Sequence, residues 1–326
     1  MNFNILFTSV GRRVSLVQHF RKALADLELE GKLIGADMLL SAPAMHIVDR
    51  KYQVCRVTDK DYIPQLLNIC EREDIDLLIP LIDTELLVLA ENKERFKEVG
   101  TTVLISDPDV IKIAIDKYNT YKFFVENGFA TPKVIDIDEA LRRDDIEYPL
   151  LMKPAKGSAS IGVTKIENKQ DLEFFRNKIP DPILQEYLVG HEHTLDVLVD
   201  FKGRVRCVVP RKRLEVRAGE VSKGMTVKDK RIIETGKKVV EALKGAVGPI
   251  TVQGFLTSDG EFKLTEINPR FGGGHPLAIA AGADYPRWII EMMLGRDPEI
   301  ELDGWEDGLV MLRYDEAIFV RYEDII

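Results

Sequence analysis

Over roughly the first 110 residues, short apolar runs alternate with stretches of helical period, and this alternation restricts the fold more than any other feature of the chain. Asn4–Ser9, Lys32–Ala36, Val54–Val57, Leu77–Pro80 and Thr102–Ile105 read as strands. Between them, Arg13–Leu27 repeats apolar residues at Val14, Leu16, Val17, Phe20, Leu24 and Leu27, which is a helical period. Tyr62–Cys70 and Thr84–Phe96 read as two further helices. Strands that alternate with helices build a parallel sheet covered on both faces. Ligands of such sheets sit beyond the strand C-terminal ends, which here carry Thr8–Arg13, Asp37 and Pro80–Glu85.

The pattern then changes. Ser106-Asp107-Pro108 is a helix start, with proline near the first turn, so a domain boundary is expected near residues 106–115. Tyr118–Asn127, closed by Gly128, reads as a helix. After Thr131-Pro132 strands dominate: Leu150–Lys153, Val163–Ile166, Ile183–Glu186, Thr194–Val199 and Arg204–Val209, with one helix at Lys169–Lys178. That is a small α+β unit on an antiparallel sheet. Lys228–Leu243 is a long helix, and Ile250–Thr257 and Glu261–Ile267 flank the turn Ser258-Asp259-Gly260. Tyr285–Leu294 reads as a helix, and Leu309–Tyr314 with Ala317–Val320 as a last strand pair. A chain of 326 residues is expected to form two or three domains.

Composition narrows the class. Hydrophobic residues make up 45% and charged residues 30%, as in soluble globular proteins. No apolar run approaches the ~20 residues that span a bilayer. Met1–Ser9 lacks the basic stretch of an export signal, which leaves the cytoplasm as the expected compartment. The net charge of −9 argues against a nucleic-acid or membrane surface. Cys55, Cys70 and Cys207 lie far apart in apolar stretches, without metal-type spacing, and read as buried thiols.

Three segments carry chemistry. In the first, Val252-Gln253-Gly254-Phe255 is followed by Leu264-Thr265-Glu266-Ile267-Asn268-Pro269-Arg270 and then Phe271-Gly272-Gly273-Gly274. Glu266 and Asn268 stand two apart on a strand and share a face; Gln253 on the preceding strand can face them. Three oxygen-bearing side chains suit magnesium, which leaves the rest of its octahedron to phosphate and water. Arg270 can reach a phosphate or a developing negative charge. In the second segment, the apolar strand Pro149–Met152 delivers Lys153 to the interior, where a lysine is costly without an anion. The loop Gly157-Ser158-Ala159-Ser160-Ile161-Gly162 follows, offering N–H groups and hydroxyls to phosphate oxygens. It is no Walker A motif, and a Gly/Ser loop by itself is usually a connector. The third is Ile183-Leu184-Gln185-Glu186-Tyr187-Leu188 followed by Glu192, a strand ending in a polar residue and a short apolar hinge.

In this order and spacing, the three segments resemble the ATP-grasp superfamily. The resemblance is to the carbamoyl-phosphate synthase large-subunit type of grasp module and to stand-alone carboxylate–amine ligases, and it covers nearly the whole chain. It implies an α/β plus α+β protein: an N-terminal Rossmann-like pre-ATP-grasp domain (residues 1–112) followed by a two-lobed ATP-grasp fold (residues 113–326), with a mobile lid over about residues 132–190. It implies ATP and Mg2+ (or Mn2+) as cofactors. Lys117 and Lys153 match the two cationic nucleotide ligands. Gly157, Ser158, Ser160, Ile161 and Gly162 match the loop over the phosphates. Glu186, Tyr187 and Leu188 match the adenine hinge and Glu192 the ribose ligand. Gln253, Glu266 and Asn268 match the metal ligands; glutamine at the first departs from the carboxylate common in the superfamily but matches the synthase type. Arg270 matches the arginine that steadies the transferred phosphoryl group; with Lys153, and with Arg213 added from the basic run Arg211-Lys212-Arg213 rather than from the resemblance, it makes up the expected catalytic set.

The implied reaction converts a small carboxylate to an acyl phosphate and ligates it to an amine, releasing ADP and phosphate, with a homodimer as the candidate assembly. Two alternatives stand beside it: a module that phosphorylates bicarbonate or carbamate with a partner chain, and a non-catalytic nucleotide-binding regulator. The chain has room for one grasp module and shows no glutaminase signature. Other residues are open. Arg211-Lys212-Arg213 with Arg217 reads as a phosphate or carboxylate site or as a solvated charged face, with Arg213 favoured. Gly11-Arg12-Arg13 reads as an anion site at a helix start or as a simple turn. Asp83 and Glu85 read as pocket residues or as partners of a helix dipole. His275 reads as structural more readily than as a substrate contact, and His191 and His193 as surface residues of the lid.

Overall fold

The computed structural model describes residues 2–157, 161–217 and 219–326. Ser158 and Ser160, expected in the phosphate loop, lie outside the described residues. The first segment runs β1 (Asn4–Thr8), α1 (Val14–Asp26), β2 (Leu33–Asp37), β3 (Arg50–Gln53), α2 (Tyr62–Arg72), β4 (Ile75–Pro80), α3 (Asp83–Glu91), α4 (Lys93–Glu98) and β5 (Thr102–Val103). Its strands form one sheet in the order β3-β2-β1-β4-β5, every pair parallel. The chain leaves β1 toward β2 on one side and returns as β4 on the other, so the strand order reverses between β1 and β4. Ligands of open α/β sheets bind in the crevice at that reversal. The loops Ser9–Arg13 and Leu81–Ile82 end there.

Two helices follow, α5 (Pro108–Ile115) and α6 (Lys117–Glu126). A four-stranded antiparallel sheet, order β6-β9-β7-β8, is then built from β6 (Val134–Ile135), β7 (Leu150–Pro154), β8 (Thr164–Ile166) and β9 (Pro182–Glu186), with α7 (Ile137–Arg142) and α8 (Lys169–Phe175) on one face. A six-stranded antiparallel sheet completes the fold. Its strands are β10 (Gly190–Val199), β11 (Val205–Arg217), β12 (Glu220–Thr226), β13 (Gly248–Thr257), β14 (Phe262–Asn268) and β15 (Val310–Leu312), in the order β14-β13-β10-β11-β12-β15. The helices α9 (Lys230–Ala242), α10 (His275–Ala280) and α11 (Tyr285–Met293) accompany it.

Side-chain alternation assigns the faces. Leu150 and Met152 of β7 and Leu184 of β9 enter a small core with Ala140, Ile166, Leu172 and Ile179, while Leu151, Lys153 and Gln185 point to the opposite face. The six-stranded sheet buries Leu195, Val197, Val252 and Ile267 in a large core that also holds Ile5, Phe7, Val17 and Phe20 of the first segment. Phe20 of α1 meets Phe271 edge-to-face with ring centroids 5.9 Å apart, so the two cores are one. The other face of the parallel sheet closes separately over Leu6, Ile34, Tyr62, Leu66, Leu78 and Phe96.

Several expected elements differ. The third strand is Arg50–Gln53 rather than Val54–Val57, because an edge strand paired on one side only needs no apolar alternation. The helix expected at Thr84–Phe96 breaks at Asn92, whose side-chain amide donates to the Val88 carbonyl at 2.8 Å. β11 continues through Pro210 and the basic run to Arg217, then turns into β12, which the sequence reading missed. Ala317–Val320 is not a strand; β15 pairs with β12 instead.

Candidate active site

The face of the six-stranded sheet that looks away from the large core is organised by register. Gln253 of β13 stands directly opposite Glu266 of β14 and, on its other side, opposite Thr194 of β10; Thr194 in turn stands opposite Arg211 of β11. Glu266, Gln253, Thr194 and Arg211 therefore form one row across four strands, with opposed side chains ~5 Å apart. One pitch along, Asn268 stands opposite Thr251, and Thr251 opposite Asp196. The register of β13 with β14 skips Thr265, which acts as a bulge. Without it, Leu264 and Glu266 would share a face. With it, Leu264 enters the core while Glu266 and Asn268 both line a cleft.

That cleft has a volume of about 760 Å³ and lies between the two antiparallel sheets and the ends of β1 and β4. Lys153 enters from the facing sheet and is 8% exposed. Burial, and secondarily Lys117, push its pKa down to about 8, while Glu266 pulls in the opposite direction. Among the described residues neither Lys153 nor Glu266 has an ion-pair partner. Lys117 is placed by the start of α6, where the Asp116 carboxylate accepts from the Tyr118 and Asn119 amides and the Lys117 amide donates to the Ala155 carbonyl at 2.9 Å. Lys117 Nζ donates to the Gly157 carbonyl at 2.8 Å. The loop begins and ends on glycines with positive φ, Gly157 at 117° and Gly162 at 75°, a conformation that disfavours a side chain. Ile161 is exposed and lines the cleft.

Tyr187 and Leu188 also line the cleft, directly after β9. The Glu186 carboxylate is engaged elsewhere, accepting from Lys263 Nζ at 2.8 and 3.0 Å. Glu192 accepts from Arg213 Nη1 at 2.6 Å, and Arg213 Nη2 donates to the Gly219 carbonyl at 2.9 Å. Two residues expected to act on different ligands thus hold each other. Burial raises the Glu192 pKa and Arg213 opposes that shift. Arg270 donates to Asp83 at 2.8 Å and to the Phe271 carbonyl at 3.2 Å, and its Nε is buried without a partner.

The sequence reading placed Arg211 in a basic run read as a ligand site or a solvated face, and it did not single out Asp196. Arg211 is 1% exposed and donates to both Asp196 oxygens, Nε at 2.6 Å and Nη2 at 3.0 Å. His275 Nδ1 lies 3.5 Å from the same carboxylate. Burial alone would raise the Asp196 pKa; Arg211 and His275 hold it well below the usual carboxylate range instead. A charged residue inside the apolar run Leu195-Asp196-Val197 was the available signal. His275 is therefore structural. His193 is buried on β10 against Phe262 rather than on the lid surface, and only His191 is exposed. Glu85 is also structural: it is fully buried and accepts from Tyr62, Ser9 and the Leu81 and Ile82 amides. Of the cysteines, Cys70 and Cys207 are buried and Cys55 is half-buried.

Both halves of the chain match known families. Residues 5–104 match the model described as a PylC-like N-terminal domain, and residues 114–274 match that of an ATP-grasp domain. The chain carries an ATP-grasp domain behind a PylC-like N-terminal domain. Among curated ATP-grasp relatives, the D-alanine–D-alanine ligase of Fusobacterium nucleatum is 25% identical over 53% of this chain and 60% of its own length. That of Thermotoga maritima is 29% identical over 58% of this chain and 69% of its own. The match therefore spans about three fifths of the first of these relatives. The biotin carboxylase domain of Hydrogenobacter thermophilus 2-oxoglutarate carboxylase superposes with a TM-score of 0.73 at 19% identity, covering 92% of this chain and 71% of that one. The N5-carboxyaminoimidazole ribonucleotide synthetase of Thermotoga maritima gives 0.65 at 22% identity, covering 92% and 78%. The ATP-grasp fold expected from the sequence, α/β followed by α+β, is the fold observed. No helix among the described residues is long and apolar enough to cross a membrane.

The donor set fits a nucleotide and a divalent ion together rather than a preformed metal centre. Among the described residues no three His, Cys, Asp or Glu side chains converge. Gln253, Glu266 and Asn268 bring only one carboxylate, so a hard cation here needs phosphate oxygens to complete its shell. A buried lysine across the cleft, without a protein anion, is the complementary requirement.

Proposed function

We propose that this chain is an ATP-dependent, ADP-forming ligase that phosphorylates a small carboxylate and joins the acyl phosphate to an amine. The observation that carries the reading is that Lys153 and Glu266 arrive from two different sheets in one cleft, each without an ion-pair partner among the described residues. The ATP-grasp match and the ligases among the relatives support it. On this reading residues 1–112 form the pre-grasp domain and residues 113–326 the grasp domain, with residues 132–190 as its lid.

Lys117 and Lys153 hold the nucleotide phosphates under the Gly157–Gly162 loop. The segment Glu186-Tyr187-Leu188 holds adenine through its backbone, since the Glu186 carboxylate serves Lys263. Glu192 reaches the ribose while oriented by Arg213. Gln253, Glu266 and Asn268 hold a divalent ion, which when bound neutralises charge on the phosphates. Arg270, held by Asp83, presents its guanidinium to the carboxylate and to the acyl phosphate that forms from it. Phosphoryl transfer asks a protein mainly for positioning and charge neutralisation, and this cleft supplies both. Closure of the small sheet keeps water from the acyl phosphate. The net charge of −9 supports small-molecule substrates over nucleic acid or a membrane surface.

The test is ADP release across a panel of small carboxylates paired with amino acids, with mass detection of the product. ADP and phosphate formed with both partners present is the expected result. AMP and pyrophosphate would overturn the reading, and bicarbonate-stimulated ADP release that ignores every amine would replace it with a bicarbonate-phosphorylating one.

A further inference from the structure

Arg13 has no role in the nucleotide half of the cleft, yet it lines the same cavity. It follows β1 at the point where the parallel sheet reverses its strand order, which is where open α/β sheets take ligands. Its guanidinium leans on the glycine loop: a Cβ on Gly273 would fall 3.1 Å from Arg13 Nη1. On the next residue, a Cβ on Gly274 would fall 2.3 Å from Arg211 Nη1, a buried nitrogen without a partner. Two arginines thus pack against successive glycines, an approach that side chains there would block.

The local charge balance gives the sign of the ligand. Among the described residues, the charges acting on Arg13 are Arg270 and Arg313 on one side and Glu220 and Asp83 on the other, and Arg12 also lies against Glu220. Asp83 is committed to Arg270 at 2.8 Å, and Glu220 to Arg313 at 3.1 Å with Arg12 at 3.7 Å. Arg13 has no hydrogen-bond or ion-pair partner for its side chain among the described residues. Burial, with Arg270 as the next cause, lowers its pKa to about 10. Four cations beside two paired anions disfavour an ammonium group here and favour an anion.

We propose that Arg13 holds a second anionic group of the small-molecule substrate, a carboxylate or a phosphate distinct from the carboxylate that reacts at Arg270. This rests on the ligase reading, because it takes the β1–β4 end of the cleft as the substrate end. The consequence is a substrate class: acids carrying a further carboxylate or phosphate, in preference to simple monocarboxylates.

The test uses the full chain saturated with Mg2+ and the non-hydrolysable ATP analogue AMP-PNP, which covers the nucleotide phosphate sites. Acetate, succinate and glycerol 3-phosphate are titrated by calorimetry. The wild-type protein should bind succinate or glycerol 3-phosphate at least tenfold more tightly than acetate, and the stronger of the two tells carboxylate from phosphate. Arg13→Gln should abolish that preference while AMP-PNP affinity stays within about twofold, and Arg13→Lys should restore part of it. Equal binding of all three anions by the wild type, or a preference that survives Arg13→Gln, overturns the proposal. A change only in thermal midpoint would assign Arg13 to screening Asp83 and Glu220, and overturns it too. Failure of the wild type to bind Mg–AMP-PNP would instead bring down the ligase reading, and this inference with it.

Discussion

The four-stranded sheet closes over its own core, which among the described residues holds Ala140, Leu150, Met152, Ile166, Leu172, Ile179 and Leu184. The six-stranded sheet shares one large core with the parallel sheet, through Phe20 and Phe271 among others. Both present a polar face to the same cleft, and the charges they bring are complementary. The small sheet delivers Lys153 beside Lys117, and the large one delivers Glu266 with two amides. The cleft thus lies between a large shared core and a smaller body with a core of its own, and on the proposed reading that separate core would let a lid close without unfolding either part. The buried polar chemistry follows the same division. In the larger body, Asp196 and Arg211 satisfy each other, whereas Lys153 on the small sheet has no ion-pair partner among the described residues.

The sharpest test of this division removes one charge from each side. Glu266→Gln and Lys153→Ala should each lower ADP-forming turnover by ~10³-fold with the circular dichroism spectrum unchanged, as for other charge-stabilising groups. Near-wild-type turnover in either variant would break the assignment of a shared site. Next in size is the larger body's internal pair. Asp196→Ala strands Arg211 in the core and should cost ~3–5 kcal/mol of stability in denaturant titration. In the wild type, the depressed Asp196 pKa means its contribution is fully present above the unfolded carboxylate value near ~4 and is lost as pH falls below it. The small core gives a local counterpart. Leu184→Ala should cost ~2–4 kcal/mol, with faster amide exchange confined to residues 134–186. Acceleration that spreads into β10–β14 would show that the two bodies unfold as one.

The smallest expected effect has the opposite sign. With its pKa lowered from 10.5 to about 8, Lys153 binds its proton less tightly in the folded chain than in the unfolded one. Its burial therefore costs stability in full below pH 8, and the cost fades as pH rises toward 10.5. Lys153→Met should stabilise the nucleotide-free protein by ~1–3 kcal/mol at pH 7, and that advantage should vanish near pH 10. Loss of nucleotide affinity in the same variant would show that stability is given up at this position for function. A destabilised Lys153→Met at pH 7 would mean that Glu266 already compensates the lysine.

Much of this was legible before any coordinates. The alternation of periods up to residue 105 dictates a parallel sheet, because a period of two or of 3.6 is a local property of the side chains. The polar residues set into apolar strands, Lys153, Glu266 and Asn268, pointed to the candidate site, because a buried polar side chain needs a partner, whether protein or ligand. Only the tertiary structure decided which groups are spent on each other. It pairs Arg213 with Glu192, Arg270 with Asp83, and Arg211 with Asp196, across 21, 187 and 15 positions of sequence. It also placed the bulge at Thr265 that aims Glu266 into the cleft, and left the Arg13 side chain without a hydrogen-bond or ion-pair partner among the described residues. Register and ion pairing are long-range outcomes, set by which strands meet and which charges share a low-dielectric space, and no local pattern of residues encodes them.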